Sequence, residues 1–138
     1  MRTISWLLLA LVGLATLLGS LASAYVAYGI GQDQFGTVSL SELAAGRAEV
    51  ASVLRARRGT AAAYAAGFAI LFLSIVLIPY RRGEVWSWWA ILEATLATAV
   101  IILARILFLG IRTGAGTAWI LLGVVGLALL LDIKRLWA

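Results

Sequence analysis

Two long apolar runs of the chain meet at Pro79-Tyr80-Arg81-Arg82-Gly83-Glu84-Val85-Trp86-Ser87-Trp88-Trp89. Proline lacks the N–H that a helix interior requires, so Pro79 ends the run before it. Arginine and tryptophan are enriched where a membrane-spanning helix reaches the headgroups. We therefore predict that this stretch is a tight hairpin at the centre of a membrane protein.

Composition places the whole chain in a membrane. Of its 138 residues, 64% are hydrophobic and 12% are charged, and the mean hydropathy is +1.06. A soluble domain has roughly 45–50% apolar and about 25% charged residues. The length indicates one domain and no appended catalytic module. Cysteine and histidine are both absent, which argues against disulfides, a thiol nucleophile and a haem or zinc site. We expect no metal and no cofactor.

The net charge of +5 is spread over short clusters between the apolar runs. Such clusters are typical of interfacial anchors and topology signals rather than of a nucleic-acid surface. The partner that they indicate is the lipid bilayer, with no role for nucleic acid.

The apolar runs predict an all-α, integral membrane four-helix bundle, which forms a single four-span domain over residues 1–138. The spans are expected at about residues 4–30, 60–80, 86–110 and 115–131. The first run has the pattern of a secretory signal, with Arg2 before it and Ala22-Ser23-Ala24 near its end. It is longer than the roughly 20 residues needed to cross a bilayer, so we interpret it as an uncleaved membrane helix.

A short amphipathic helix is predicted between spans 1 and 2, at about residues 39–58, after an irregular loop over 31–37. Ser39 and Glu42 have the spacing of a capping box. One face of this helix is apolar, and Glu42 and Glu49 lie on the other. Arg47 falls on the apolar face, where it either extends to the headgroups or forms an ion pair facing the bundle. The apolar positions are Leu40, Leu43, Ala44, Val50, Ala51 and Leu54.

Small residues recur on one side of two spans, a pattern that favours close helix packing in lipid. In span 2 these are Gly59, Ala63, Gly67 and Ser74. In span 3 they are Ala90, Ala94, Ala97 and Ala104, which we expect to face the bundle.

Four crossings sort the tryptophans, with Trp119 alone at one interface and five at the other: Trp6, Trp86, Trp88, Trp89 and Trp137. The cations tie at five on each side. Arg2, Arg81, Arg82, Lys134 and Arg135 share the tryptophan side, and Arg47, Arg55, Arg57, Arg58 and Arg112 lie opposite. The very short segments on the tryptophan side favour it as cytoplasmic, with both termini there.

Span 3 is the one predicted span with charges in its interior, Glu93 and Arg105. Ionisable groups inside a membrane are costly and mark a functional site by default. The two are separated by about 18 Å of helix and cannot pair with each other. Glu93 is either a structural tie between helices or a ligand, proton or ion site, with Arg81, Arg82, Lys134, Arg135 and Ser74 in reach. Arg105 either extends to the headgroups or forms a structural pair in the other leaflet, or it belongs to a candidate polar cluster there with Thr98, Arg47 and Tyr64.

The hairpin, with its Arg81-Arg82-Gly83-Glu84 turn and tryptophan-rich helix start, resembles that of a family of small, uncharacterised bacterial four-transmembrane-helix proteins. The resemblance is sharp at the hairpin and loose over residues 36–105. It implies a four-helix bundle and a bacterial inner (plasma) membrane, and it implies no activity.

Three functions remain open at this point. The first is a non-enzymatic structural or accessory membrane subunit, in a larger membrane complex or by self-association. The alternative is a small proton-coupled carrier or ligand-binding protein that uses Glu93. A lipid-modifying enzyme is least favoured, because general acid–base catalysis usually needs a second positioned group.

Overall fold

A computed structural model describes residues 2–29, 34–35, 37–110 and 115–136. Nearly all of them are helical. In chain order the elements are α1 (Arg2–Tyr28), β1 (Gln34–Phe35), β2 (Val38–Ser39), α2 (Leu40–Ala44), α3 (Ala48–Ile75), a π-helical turn (Val76–Tyr80), α4 (Val85–Leu109) and α5 (Ala115–Leu136).

Four helical segments of the described chain have the length and apolar composition of membrane spans. They are Ile4–Tyr28, Ala48–Tyr80, Val85–Leu109 and Gly116–Ile133. The all-α fold class with four membrane-spanning helices is confirmed, and the protein is a multi-pass membrane protein. The predicted end of the first span at Ile30, the loop residues 31–33, and Arg112 and Trp137, which were predicted at the membrane interfaces, lie outside the described residues.

The segment between spans 1 and 2 differs from the prediction of one helix over 39–58. Residues 34–35 and 38–39 pair as a small antiparallel hairpin, and α2 ends after five residues. Ala45 and Gly46 then adopt the left-handed conformation, with φ values of 45° and 77°, which α-helices exclude. From Ala48 the backbone is helical without a break into the second span, so residues 48–58 belong to that span's helix. The predicted break at Gly59 does not exist.

The start of α2 confirms the capping box. The Ser39 backbone N–H donates to Glu42 at 2.8 Å, and the Glu42 N–H donates to the Ser39 hydroxyl at 3.2 Å. The Ser39 backbone bond, together with a bond from the Ser39 hydroxyl, lowers the pKa of the Glu42 carboxyl. Leu40 and Ala44 are buried, whereas Leu43 and Arg47 are exposed.

The chain divides into two compact units, one made of Met1–Leu14 with Leu71–Ala138 and the other of Ala15–Ile70. The core of the first unit is built on α5. Its residues Val125, Ala128 and Leu129 are buried at the i, i+3, i+4 spacing of one helix face. The other core residues of this unit are Leu9, Val12, Phe72, Val76, Tyr80, Trp88 and Ile91.

In the second unit, the end of α1 contacts the middle of α3. Gly59 lies so close to the Tyr28 ring that a Cβ at this position would overlap its hydroxyl. Ala27 and Ala62 are buried beside this contact, and Arg58 Nε donates to Ser23 Oγ at 3.3 Å.

The predicted small-residue side of span 2 is therefore only partly right. Gly59 packs closely, but Ala63, Gly67 and Ser74 are exposed. A Cβ at Gly67 would meet open space. Ala62 and Ala69, three and ten residues after Gly59, are the small residues that the fold buries.

Candidate functional site: the helical hairpin and the outer face of α4

The predicted hairpin between spans 2 and 3 is present and begins with the π-helical turn over Val76–Tyr80. A proline inside a helix clashes with the preceding turn, and the wider π-helical turn accommodates Pro79. Gly83, at φ 91°, then closes the helix. The Glu84 N–H donates to the Pro79 carbonyl and the Gly83 N–H to the Tyr80 carbonyl, both at 3.0 Å. These two bonds are those of a Schellman motif, which reverses the chain within a few residues.

A buried chain of hydrogen bonds joins this hairpin to the first and last helices. Ser5 Oγ donates to the Ala128 carbonyl at 2.9 Å and lies 2.6 Å from the Tyr80 hydroxyl. A serine hydroxyl carries one hydrogen, so Tyr80 must be the donor in the second bond. Ser5 is fully buried and Tyr80 nearly so. The direction Tyr80 to Ser5 to Ala128 therefore satisfies both hydroxyl donors away from water.

The start of α4 is attached to α5 in a similar way. Trp88 Nε1 donates to the Leu129 carbonyl at 3.1 Å, and the Trp88 side chain is 7% exposed. Trp88 thus belongs to the protein core rather than to the tryptophan belt in which the sequence placed it. Trp86 and Trp89 are exposed, as a belt requires. Trp86 also donates its indole N–H to the Glu84 carboxylate at 2.6 Å.

Three buried polar groups of this region were missed by sequence reasoning: Ser5, Ser87 and Asp132. Ser87 Oγ donates to the Glu84 carbonyl, one turn earlier. Asp132 is 3% exposed and has an interaction within the chain. It follows Leu129 by three residues and Ala128 by four, so the apolar spacing of α5 carried a signal that its carboxyl group would turn inward.

The guanidinium of Arg81 lies 5.1 Å from the centre of the Trp6 ring. A cation over an aromatic face is attracted by the ring quadrupole. Arg82 is exposed. Of the two hairpin arginines proposed to accompany Glu93, Arg81 therefore contacts Trp6 near the start of α1.

Glu93 lies on the outer side of α4. The residues that α4 buries are Ser87, Trp88 and Ile91, and Glu93 follows Ile91 by two residues, about 200° around the helix. Its side chain is exposed. The expectation that the alanine side of span 3 faces the bundle is wrong, since Ala90, Ala94 and Ala104 are only half-buried and Ala97 is exposed. The helix instead turns its large Trp88 and Ile91 side chains inward, because they fill the core and the indole reaches an acceptor.

The structure does not assemble the candidate cluster around Glu93. Glu93 has no hydrogen bond or ion pair among the described residues. None of the predicted partners Arg81, Arg82 and Ser74 therefore pairs with it. Ser74 is exposed and has an interaction elsewhere. The side chains of Lys134 and Arg135 lie outside the described residues.

The second candidate cluster divides between the two units. In the first, Arg105 is exposed and has an interaction within the chain. Thr98 Oγ1 donates to the Ala94 carbonyl at 2.8 Å within its own helix. In the second, Arg47 is exposed between α2 and α3, and Tyr64 is 78% exposed on α3.

The side-chain hydrogen bonds of this region hold segments of the first compact unit in place. Ser5, Ser87 and Trp88 each donate to a backbone carbonyl, which positions helices and activates no nucleophile. Within the described residues, no group of three or more acidic side chains is close enough to hold a metal ion. Glu93 is the one carboxyl side chain in α4, and it points away from the core.

Comparison of the chain with protein-family models, curated proteins and solved structures finds no match.

Proposed function

We propose that this protein is a non-enzymatic structural or accessory membrane subunit that binds another membrane protein through the outer face of α4. The observation that carries this proposal is Glu93, which is exposed within a membrane span and has no partner among the described residues. A carboxylate facing lipid is unfavourable, by roughly 2.5–3.5 kcal/mol at a helix centre on insertion scales. A partner that covers Glu93 and supplies a cation or hydrogen-bond donor removes this cost.

The burial of the four spans supports the same face. In the most apolar window of each span, 22% of residues are buried in the first, second and fourth spans, but only 6% in α4. A helix that makes few contacts within its own chain and carries a charge at membrane depth is suited to contact with another chain. We place this assembly in a bacterial plasma membrane, as the resemblance at the hairpin implies.

A small proton-coupled carrier is the second candidate, and the same observation favours it. A carboxyl group without an ion-pair partner can gain and lose a proton during transport. A carrier also needs a water-accessible path to Glu93, whereas in an assembly the partner excludes water from the surface around Glu93.

Replacing Glu93 by glutamine distinguishes the two functions. Glu49→Gln, at the exposed start of α3, is the matched control because it removes a carboxylate that lies at a helix end. We expect Glu93→Gln to reduce the recovery of cross-linked complexes from membranes at least tenfold, with Glu49→Gln unchanged. Proton-linked uptake that depends on Glu93, in a protein that stays monomeric, would instead establish the carrier and overturn our proposal.

A further inference from the structure

We infer that the partner on α4 is a second copy of this chain in the opposite membrane orientation, with Glu93 of each copy paired to Arg105 of the other. This inference rests on the proposed function and identifies the partner that it requires. Charge complementarity carries it, since α4 presents one exposed anion and one exposed cation within the same span.

The spacing of the two charges favours an antiparallel pair. Twelve residues separate them, or about 18 Å of helix, so they cannot pair within one chain. In a parallel pair, each charge lies level with its own copy, and like charges repel in a medium of low dielectric constant. In an antiparallel pair, each Glu93 lies near the level of an Arg105.

The register also fits. Ala99 lies midway between Glu93 and Arg105, and the middle of the 25-residue α4 is Ala97. Two antiparallel α4 helices with their ends aligned therefore bring Glu93 and Arg105 of different copies within about one turn of the same level. Arginine has five N–H donors on a long side chain. Arg105 already has an interaction within its own chain, so pairing with the Glu93 carboxylate of the second copy, about one helix diameter away, uses further N–H donors of the same guanidinium or replaces that interaction.

The cations of the loops give neither orientation an advantage. Five lie on each side of the four spans, and it is an excess of arginine and lysine that fixes orientation. A chain without such an excess inserts both ways, which supplies the two orientations of an antiparallel pair. The expectation that the termini are cytoplasmic then holds for one copy in each pair.

Disulfide cross-linking tests the geometry against a background without cysteine. Ala90 and Phe108 are each nine residues from Ala99 and are separated by five full turns, so they lie on one side of α4. Phe108 is 86% exposed and Ala90 is half-buried. We expect differently tagged Ala90→Cys and Phe108→Cys chains to cross-link when coexpressed, at least tenfold more than either variant with itself. Self-cross-linking of Ala90→Cys alone would show a parallel pair and overturn the inference.

Charge reversal tests the pairing. Glu93→Arg and Arg105→Glu should each lower the Ala90–Phe108 cross-link at least tenfold, and the double variant should restore it. Glu49→Arg is the control and should leave the cross-link unchanged. Failure of the double variant to recover, in protein that is inserted and folded, would contradict the pairing.

Orientation is measured separately with Val85→Cys, an exposed residue at the hairpin end of α4. A membrane-impermeant thiol reagent should label about half of the chains in intact cells if both orientations insert equally. Uniform labelling or uniform protection would overturn the antiparallel pair. If a different membrane protein then cross-linked at Phe108→Cys, this inference would fail while the proposed function held. If Phe108→Cys cross-linked neither to a second copy nor to another membrane protein, both the antiparallel pair and the proposed function would fail.

Discussion

The hairpin end of α4 and the rest of the helix differ in whether their polar side chains are buried. At the hairpin end, Ser87 and Trp88 are buried and donate to backbone carbonyls of the same compact unit. Farther along, Glu93 is exposed on the outer side of the same helix and has no partner among the described residues. A polar group in a membrane must find a partner in its own chain or in another. The polar groups at the hairpin end therefore stabilise the fold of this chain, and Glu93 lies on the surface where we propose that another chain binds.

The largest expected effect at the hairpin end is that of Trp88→Ala. Removing this side chain leaves a cavity beside Ile91 and Leu129 and removes the hydrogen bond to Leu129, and large-to-small core changes of this kind cost about 3–5 kcal/mol. Unfolding in mixed micelles with increasing denaturing detergent measures the loss. Trp89→Ala is the control, because Trp89 is 44% exposed and should cost much less. Equal losses would remove the distinction between core and belt tryptophans.

Ser5 and Tyr80 test the direction of the buried hydrogen-bond chain. Ser5→Ala removes two buried hydrogen bonds, the one from Tyr80 and the one to the Ala128 carbonyl, at a net cost of about 0.5–1.5 kcal/mol each. Tyr80→Phe removes a donor but leaves the bond from Ser5 to Ala128 intact, so its cost should be smaller. The same unfolding measurement ranks the two variants. The reverse order would mean that Ser5 donates to Tyr80.

Gly83→Ala should destabilise the protein by about 1–2 kcal/mol, since a Cβ at φ 91° is strained in the left-handed region. Gly126→Ala provides the matched control. Gly126 lies inside α5, and a Cβ there would meet nothing within 4 Å, so alanine should be neutral or stabilising. Similar destabilisation by both variants would place the glycine requirement in the helices rather than in the hairpin turn.

The smallest effect is expected at the water-exposed cap of α2. The pKa of Glu42 is lowered in the folded chain, so its contribution to stability is present above the ordinary value of 4.5 and is lost as the pH falls through the folded pKa. In Ser39→Ala the hydroxyl bond is gone, and the Glu42 pKa should rise toward its ordinary value. Carboxyl-carbon NMR shifts measure both titrations. If the Glu42 pKa did not change in Ser39→Ala, the hydrogen bond from the Ser39 backbone N–H would be the whole cause of its lowering.

Local patterns in the sequence predicted the features that are made locally. Pro79 and Gly83 specify the hairpin, and Ser39 and Glu42 specify a helix start, because each acts within a few residues. The break at Ala45 was missed, because alanine gives no signal that its φ will be positive. The continuous helix through Gly59 was missed because the long helix around it tolerates one glycine.

Which side of a membrane helix faces the protein is set by distant parts of the chain, and here the sequence misled. The alanines of span 3 indicate close packing, but the core selects Trp88 and Ile91, whose neighbours lie on α1 and α5. Glu93 lies within a membrane span, as the sequence predicted, and it is exposed on the outer side of α4. The inward carboxyl group of α5, Asp132, was missed, although its spacing from Leu129 and Ala128 was readable.

The hydrogen bond from Ser5 to Ala128 has a consequence for the order of synthesis. Its two residues are 123 positions apart, so almost the whole chain leaves the ribosome between them. The acceptors for Ser5 and Trp88 both lie on α5, which is made after α1 and α4. Until α5 enters the membrane, those donors must be satisfied by water or by the insertion machinery, since lipid tails accept no hydrogen bonds. The first compact unit is therefore completed only after α5 has been synthesised, and truncation before α5 should leave the hairpin open to quality-control proteases.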